Sequence, residues 1–130
     1  MPTHVVQRVM ELLNDDGLAV SQSSILVVGV AYKPDVSDVR ESHAYDVIGL
    51  LDEWNAEISY HDPHVPQFDV EGREYESVPL SNDRLRKADC VLLLTDHSTI
   101  DFEQIVECSS LVFDTRNATE EIDSEIVHQL

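Results

Sequence analysis

The sequence is almost free of lysine: Lys33 and Lys87 are its only two among 130 residues. Its 8 basic residues face 26 acidic ones, which gives a formal net charge of -18. Nucleic acid and anionic membrane surfaces are therefore poor partners, because both attract positively charged proteins. The acidic residues are spread among ordinary apolar ones, and this pattern indicates a folded protein and not a disordered acidic tail.

A surface this acidic and this poor in lysine is typical of a protein that works in concentrated salt. Like charges repel one another across a compact state, and the screening length falls to about 3 Å at ~1 M salt. We interpret the composition as a halophile adaptation. The alternative is an ordinary acidic soluble protein.

Long hydrophobic runs, a signal peptide and a cysteine framework are also missing. No run approaches the roughly 18 apolar residues that a membrane helix requires, and the N-terminus lacks a basic and then apolar pattern. We therefore expect a cytoplasmic protein. Cys90 and Cys108 lie on different predicted elements without metal-like spacing, which favours free thiols that are buried or half-buried.

Predicted strands and helices alternate along the chain, and the apolar content of 42% is enough for one compact core. Strands are predicted at 24–30, 57–63, 89–96 and 110–115, and helices at 2–15, from Ser42 to about 54, at 81–88, 99–108 and 118–130. This alternation indicates an α/β fold: a doubly wound, Rossmann-like, three-layer parallel sheet in a single domain.

Ligands of such sheets bind outside the carboxyl ends of the strands. Three segments follow predicted strands there, with the sequences AYKPD, TDHS and DTRN. The first follows a single glycine, Gly29, and contains the bulky Tyr32, so it does not match a dinucleotide loop with its several glycines. Lys33 and Arg116 place two of the few cations at this edge, which predicts a diphosphate clamp. The alternative for Lys33 is an ordinary exposed lysine.

Several other polar residues near these segments receive structural interpretations. His61 and His64 are interrupted by a proline and do not share a helical face, so we predict turn chemistry and no metal site. Asp62 is predicted to end its strand through an Asx turn.

Asp96 and His97 lie at the predicted ligand edge and could form an acid/base pair. No nucleophile accompanies them, so we rank them as secondary residues of this edge and assign no catalytic residue. Asp35, Asp38 and Arg40 follow Lys33 closely enough to pair among themselves and fix the loop.

Three stretches together resemble the C-terminal, UDP-binding domain of the UDP-glucose/GDP-mannose dehydrogenase family: VVGVAYKPDVSDVRESHAYDVIGLLDEWNAEISYHDPHVP, ADCVLLLTDH and LVFDTRN. The resemblance extends in order over essentially the whole chain. It implies an enzyme that oxidises the C6 hydroxymethyl of a nucleotide sugar to a carboxylate in two NAD-dependent steps, through a cysteine thiohemiacetal. Polysaccharide biosynthesis and a homo-oligomeric full-length enzyme are expected with it.

The resemblance also assigns residues and boundaries. It makes Lys33 a diphosphate contact with Tyr32 packed beside it, and Arg116 a second contact to the substrate nucleotide. Residues 1–22 match the end of the helix and linker that lead from a central region, and 23–130 the UDP-sugar-binding domain. His43 stands where the family usually has proline, with little functional meaning expected.

The resemblance leaves the chemistry outside this sequence. Neither cysteine has the glycine-rich setting of the family's catalytic cysteine, and NAD is expected on an N-terminal domain. We favour a UDP-N-acetylhexosamine as substrate, then UDP-glucose, then GDP-mannose. The alternatives are a stand-alone nucleotide-binding module and a receiver-like signalling module, although in a receiver the Lys-Pro pair follows a late strand and here it follows the first.

Overall fold

The computed structural model, which describes residues 2–129, has a five-stranded parallel sheet with helices on both faces. The helices are α1 (Pro2–Asp15), α2 (Ala44–Glu53), α3 (Asn82–Lys87) and α4 (Phe102–Cys108). The strands are β1 (Ser24–Val28), β2 (Glu57–His61), β3 (Gln67–Val70), β4 (Arg73–Glu76), β5 (Cys90–Leu93), β6 (Val112–Asp114) and β7 (Val127–Gln129). The order across the sheet is β2-β1-β5-β6-β7.

Strand β1 shows how the two faces are filled. Val27 belongs to the cluster that holds α1 and α2, whereas Leu26 and Val28 belong to the opposite cluster with α3 and α4. Neighbouring side chains of a strand point to opposite faces, so a run of apolar residues is needed where both faces are covered. The predicted doubly wound, three-layer architecture is confirmed.

The N-cap of helix α2 lies one residue after the predicted one, Ser42. His43, not Ser42, is the N-cap, and its side chain makes no capping bond. Ser42 lies just before it and its Oγ accepts a hydrogen bond from the Ala44 amide at 3.1 Å. The predicted inward face of α2 is confirmed, since Val47 and Leu51 are fully buried.

The predicted last helix is wrong over the described residues. Turns follow β6, and Val127–Gln129 forms β7, which pairs in parallel with β6. Ile122 and Ile126 have helical spacing, but Ile126 and Val127 pack against the α3–α4 cluster, and the Ile126 carbonyl accepts from the Val112 amide at 3.0 Å. Pairing with the otherwise open edge of β6 therefore favours a strand over a helix at 127–129. Leu130 lies outside the described residues.

A hairpin for which the sequence analysis predicted no strands packs against α2. Strands β3 and β4 are antiparallel, with Phe68 and Val70 buried. Glu71 and Gly72 form the turn, both with positive φ (53° and 85°), as a two-residue hairpin requires. The alternation of polar and apolar residues in QFDV, with Gly72 two residues after it, was the available sequence signal.

Both cysteines are free, Cys90 buried and Cys108 half-buried, as predicted. Across residues 2–129 none of the helices combines the length and the apolar character needed to cross a membrane.

Candidate functional site

Strands β1, β5 and β6 end at one edge of the sheet, and a cavity of about 200 Å³ opens there. We call the segments after these strands the β1 loop (29–35), the β5 loop (94–98) and the β6 loop (115–117). All three contribute to the cavity, as the three predicted segments suggest. The lining residues are Pro2, Val5, Ala31, Tyr32, Ser42, His43, Ala44, Val47, Leu94, Thr95, Thr115 and Arg116.

The β1 loop is pressed against the β5 loop at Gly29. Gly29 has φ +87°, and a Cβ there would lie 2.8 Å from the Thr95 nitrogen. The Thr95 hydroxyl also donates to the Ala31 carbonyl at 2.6 Å. The space beside this glycine is thus occupied by protein backbone, so it does not fit the pyrophosphate of a dinucleotide such as NAD.

Of the predicted ligand residues, Tyr32 and Arg116 line the cavity, whereas Lys33 lies beside it. Lys33 is exposed, and its Nζ is 5.3 Å from the centre of the Tyr32 ring, within the range of a cation–π contact. Tyr32 itself is 41% exposed. Among residues 2–129, the ion pairs leave Lys33 unengaged, so its ammonium is available to a ligand.

Arg116 is held at its backbone and loosely restrained at its guanidinium. The fully buried Asp114 accepts from the Arg116 amide at 2.9 Å and from the Thr119 amide and hydroxyl at 2.8 and 2.6 Å. The Arg116 Nε lies 3.6 Å from Asp96 Oδ1, which has no hydrogen-bond partner among the described residues. The β6 loop is therefore fixed, while the arginine side chain keeps its donors for a ligand.

His97 belongs to the β5 loop, but its side chain does not line the cavity. It is fully buried, with Nε2 2.9 Å from Asp62 Oδ2 and Nδ1 2.8 Å from the Asp35 amide nitrogen. A backbone amide can only donate, so Nδ1 is the acceptor and the ring hydrogen is on Nε2, donated to Asp62. The possible acid/base pair of Asp96 and His97, which the sequence analysis did not adopt, is not formed, because His97 bonds to Asp62 and to the Asp35 amide.

Asp62 does more than end its strand. The predicted Asx turn is confirmed by the His64 amide, which donates to Oδ1 at 2.8 Å. In addition, Oδ2 accepts from the Val30 and Ala31 amides at 2.8 and 3.1 Å, and Asp62 is only 2% exposed. A buried carboxylate at the end of β2 thus organises the start of the β1 loop. Sequence reasoning missed this role.

The acidic residues of the β1 loop pair differently from one another. Asp38 and Arg40 form the expected pair, with Arg40 Nη2 2.7 Å from Oδ2. Asp35 instead accepts from the Ser98 amide and hydroxyl at 2.8 and 2.9 Å. These two bonds lower the pKa of the Asp35 carboxyl. Asp35 also has φ 64°, an uncommon conformation for a residue other than glycine.

The Asp38–Arg40 pair gives a prediction for acid solution. Hydrogen bonds from Arg40 lower the pKa of Asp38 from 3.8 to about 2. The folded pKa lies below the unfolded one, so the stabilising contribution is complete above pH 3.8 and is lost as the pH falls through about 2. We expect NMR of the Asp38 carboxyl carbon to show a midpoint near 2, moved towards 3.8 by Arg40→Gln and unmoved by Arg84→Gln on α3. A midpoint near 3.8 in the unaltered protein would contradict the pair.

One group of possible metal ligands is present among the described residues. Ligand atoms of Asp35, His64 and His97 lie within 4.8 Å of one another. Both nitrogens of His97 already have partners, whereas the buried His64 Nε2 has none. A metal would have to displace the Asp35 amide from His97, so the group is not a preformed site. The absence of a metal stays a prediction.

The chain matches the UDP-glucose/GDP-mannose dehydrogenase family, UDP binding domain, over residues 26–121. Among curated proteins, the UDP-N-acetyl-D-mannosamine dehydrogenase of Methanococcus maripaludis strain S2 is 35% identical over 92% of this chain and 28% of its own length. The UDP-glucose 6-dehydrogenase TuaD of Bacillus subtilis is 26% identical over 84% of this chain and 23% of its own length.

Solved structures give the same picture. The UDP-N-acetyl-mannosamine dehydrogenase Cap5O from S. aureus is 30% identical, with a TM-score of 0.68 over 98% of this chain and 29% of that one. The UDP-D-ManNAc dehydrogenase from Pyrococcus horikoshii shares the fold, with a TM-score of 0.78 at 23% identity over 98% of this chain and 30% of that one.

The chain thus spans about 28% of the length of curated relatives that match nearly all of it. The family match covers the β1 loop, the β5 loop and the β6 loop, which all contribute to the wall of the cavity. The chain belongs to the UDP-glucose/GDP-mannose dehydrogenase family and corresponds to its UDP binding domain.

Proposed function

We propose that this chain is the substrate-nucleotide-binding domain of an NAD-dependent nucleotide-sugar 6-dehydrogenase that oxidises a UDP-sugar to the uronate. The observation that carries the proposal is the cavity at the strand ends, with Tyr32 and Arg116 in its wall and Lys33 beside it. It lies in a chain that matches the UDP binding domain of the family.

The charges of the site suit a diphosphate. Arg116 offers a planar set of donors, which matches phosphate oxygens, and Lys33 offers a compact positive charge that can move from the Tyr32 ring towards the cavity. In a chain of net charge -18, Lys33 without an ion pair and Arg116 with only a long contact to Asp96 form a local site for an anion. Asp96 is the carboxylate paired with the Arg116 guanidinium, and a bound diphosphate would replace this weak interaction.

Catalysis is assigned to other parts of the enzyme. Desolvation raises the pKa of the Cys90 thiol to about 12, so Cys90 is not a nucleophile at neutral pH. Cys108 ends α4 and does not line the cavity. We propose that residues 1–22 lead from a central region, that N-terminal and central domains supply the cysteine and bind NAD, and that the complete enzyme is a cytoplasmic homo-oligomer of polysaccharide biosynthesis.

A UDP-N-acetyl sugar is the favoured substrate, with UDP-glucose second and GDP-mannose third. Support comes from relatives named UDP-N-acetyl-D-mannosamine dehydrogenase, at 33% and 35% identity, compared with 26% for the relative named UDP-glucose 6-dehydrogenase. The test is NAD reduction by the complete enzyme with each nucleotide sugar. Turnover restricted to GDP-mannose would contradict the proposal.

The binding site gives a prediction for the chain itself. Lys33→Ala and Arg116→Ala should each weaken UDP binding by about 10- to 100-fold, or ~1.5–3 kcal/mol, the range for hydrogen bonds to charged groups. Uridine, which lacks the diphosphate, should bind almost equally to all variants. Lys87→Ala is the matched control, because Lys87 lies at the end of α3, away from the cavity. Titration calorimetry at one fixed salt concentration measures these affinities.

A double mutant tests whether the two cations share one ligand. The effects of Lys33→Ala and Arg116→Ala should be non-additive, since both groups would touch the same diphosphate. Equal losses for UDP and uridine would assign Lys33 to the fold or the base pocket. An unchanged UDP affinity in Lys33→Ala would mean that Lys33 is an ordinary surface lysine.

We also propose that the acidic surface is a halophile adaptation. Because screening weakens the repulsion in a chain of net charge -18, the thermal midpoint should rise by at least about 4 °C, corresponding to ~1 kcal/mol, between 0.1 M and 2 M KCl. Neutralising exposed carboxylates, as in Glu107→Gln combined with Glu120→Gln and Glu121→Gln, should reduce the rise. A midpoint independent of salt would count against the adaptation.

A further inference from the structure

We propose that His97 positions the part of the β1 loop that carries Tyr32 and Lys33, and that it thereby sets UDP affinity without touching the ligand. Asp62 is its partner in this task. The inference rests on the proposed function, which makes the β1 loop part of the nucleotide site. His97 is a positioning residue and not a catalytic one.

Two buried side chains hold the β1 loop on either side of its ligand residues. Asp62 accepts from the Val30 and Ala31 amides, and His97 accepts from the Asp35 amide. Tyr32 and Lys33 lie between these points. The two holding side chains are themselves joined by the 2.9 Å contact between His97 Nε2 and Asp62 Oδ2. A change at His97 therefore reaches the loop directly through Asp35 and indirectly through Asp62.

Asp35 needs such support because its own backbone is in an unfavourable conformation. Its φ of 64° is unfavourable for most residues with a side chain, so the surroundings must hold it. Its amide reaches His97, and its carboxylate reaches the amide and hydroxyl of Ser98. The β1 loop and the β5 loop are thus joined in both directions next to Lys33.

Burial makes the His97 bonds effective. His97 is fully buried and Asp62 is 2% exposed, so water cannot readily replace either partner. A buried donor that loses its acceptor cannot recover the loss from solvent, and the loop would rearrange to satisfy it. The Asp35 amide, at the exposed end of the β1 loop, is the donor that can move outward to water.

The two nitrogens of His97 can be tested separately by conservative substitutions. His97→Asn places an amide group near the position of Nδ1 and can keep the bond from the Asp35 amide. His97→Gln places an amide group near the position of Nε2 and can keep the bond to Asp62, but it releases Asp35. Both remove the ring from the core, so their effects on stability should be similar.

We expect the two variants to differ in UDP binding and in loop protection. His97→Gln should weaken UDP binding about 5- to 10-fold, as for a lost hydrogen bond, and hydrogen exchange of the Asp35 amide should become faster. His97→Asn should keep the affinity within about 2-fold and leave the Asp35 amide protected. Calorimetry and NMR exchange on the same samples measure both quantities, with thermal unfolding as the record of stability.

A third variant covers the case in which the buried substitutions prevent folding. Ser98→Ala removes only the exposed hydroxyl that donates to Asp35, so it leaves the core intact. It should weaken UDP binding about 2- to 5-fold and speed exchange of the Asp35 amide, with little change in stability.

The outcomes separate this inference from the proposed function. Equal UDP affinity and equal Asp35 exchange in His97→Gln and His97→Asn would give His97 a purely structural role and overturn the inference, as would an unaffected Ser98→Ala if neither buried variant folds. Absence of UDP binding by the unaltered chain would instead reject the proposed function. In that case the exchange pattern of Asp35 alone decides whether His97 positions the loop.

Discussion

Asp62→Ala should lower the free energy of unfolding by about 3–5 kcal/mol, the range for removing one partner from a buried, hydrogen-bonded charge. The carboxylate accepts from the amides of Val30, Ala31 and His64 and from His97. Alanine would leave these donors buried without an acceptor. A domain of this size is stable by only ~5–15 kcal/mol, so a substantial part of its stability would be lost.

Two further variants isolate the cause of this loss. Asp62→Asn keeps one acceptor oxygen and nearly the same shape, so it should destabilise by about 1–3 kcal/mol. Asp123→Ala is the matched surface control, since Asp123 is exposed, and it should stay within about 0.5 kcal/mol of the unaltered protein. Urea unfolding followed by circular dichroism gives all three values. A loss below about 1 kcal/mol for Asp62→Ala would mean that water or a shifted loop replaces the carboxylate.

The parts of the fold that could be predicted are those whose signal is local. The β-branched run before Gly29 indicated a strand covered on both faces, and the helical spacing of Val47 and Leu51 indicated the inward face of α2. Both features appear in the structure. The prediction of the last helix was wrong because Val127 pairs with the free edge of β6 and Ile126 packs against the α3–α4 cluster. This edge exists only after the sheet has assembled.

In the candidate site, too, some features could be predicted from local sequence and others depend on distant residues. The three segments at the strand ends could be predicted, because parallel strands place their carboxyl ends at one edge. The inward orientation of the His97 side chain could not be predicted, since its partner Asp62 lies 35 residues away, just after β2. From the sequence alone, a histidine next to an aspartate in a loop is expected to be an exposed polar residue, because the residues that would bury it are distant in the chain. The place of Lys33 beside the cavity, and not in its wall, also depends on how the β1 loop is held.

Gly29→Ala should destabilise the chain by about 2–5 kcal/mol, the sum of about 1–2 for an L-residue in the left-handed region and about 1–3 for overpacking. Gly29 has φ +87°, and its added Cβ would approach the oxygen, Cβ and nitrogen of Thr95. The neighbour cannot move away easily, because the Thr95 amide donates to the Val28 carbonyl and its hydroxyl donates to the Ala31 carbonyl. Two backbone segments would have to separate.

Gly72→Ala separates the two contributions of this loss. Gly72 has nearly the same φ, +85°, but nothing lies within 4 Å of an added Cβ. It should therefore show only the conformational term of about 1–2 kcal/mol, and the difference between the two variants measures the contact with Thr95. Thermal and urea unfolding provide both values. Equal destabilisation would mean that the β5 loop gives way at little cost, and Gly29 would then be required only for its backbone angle.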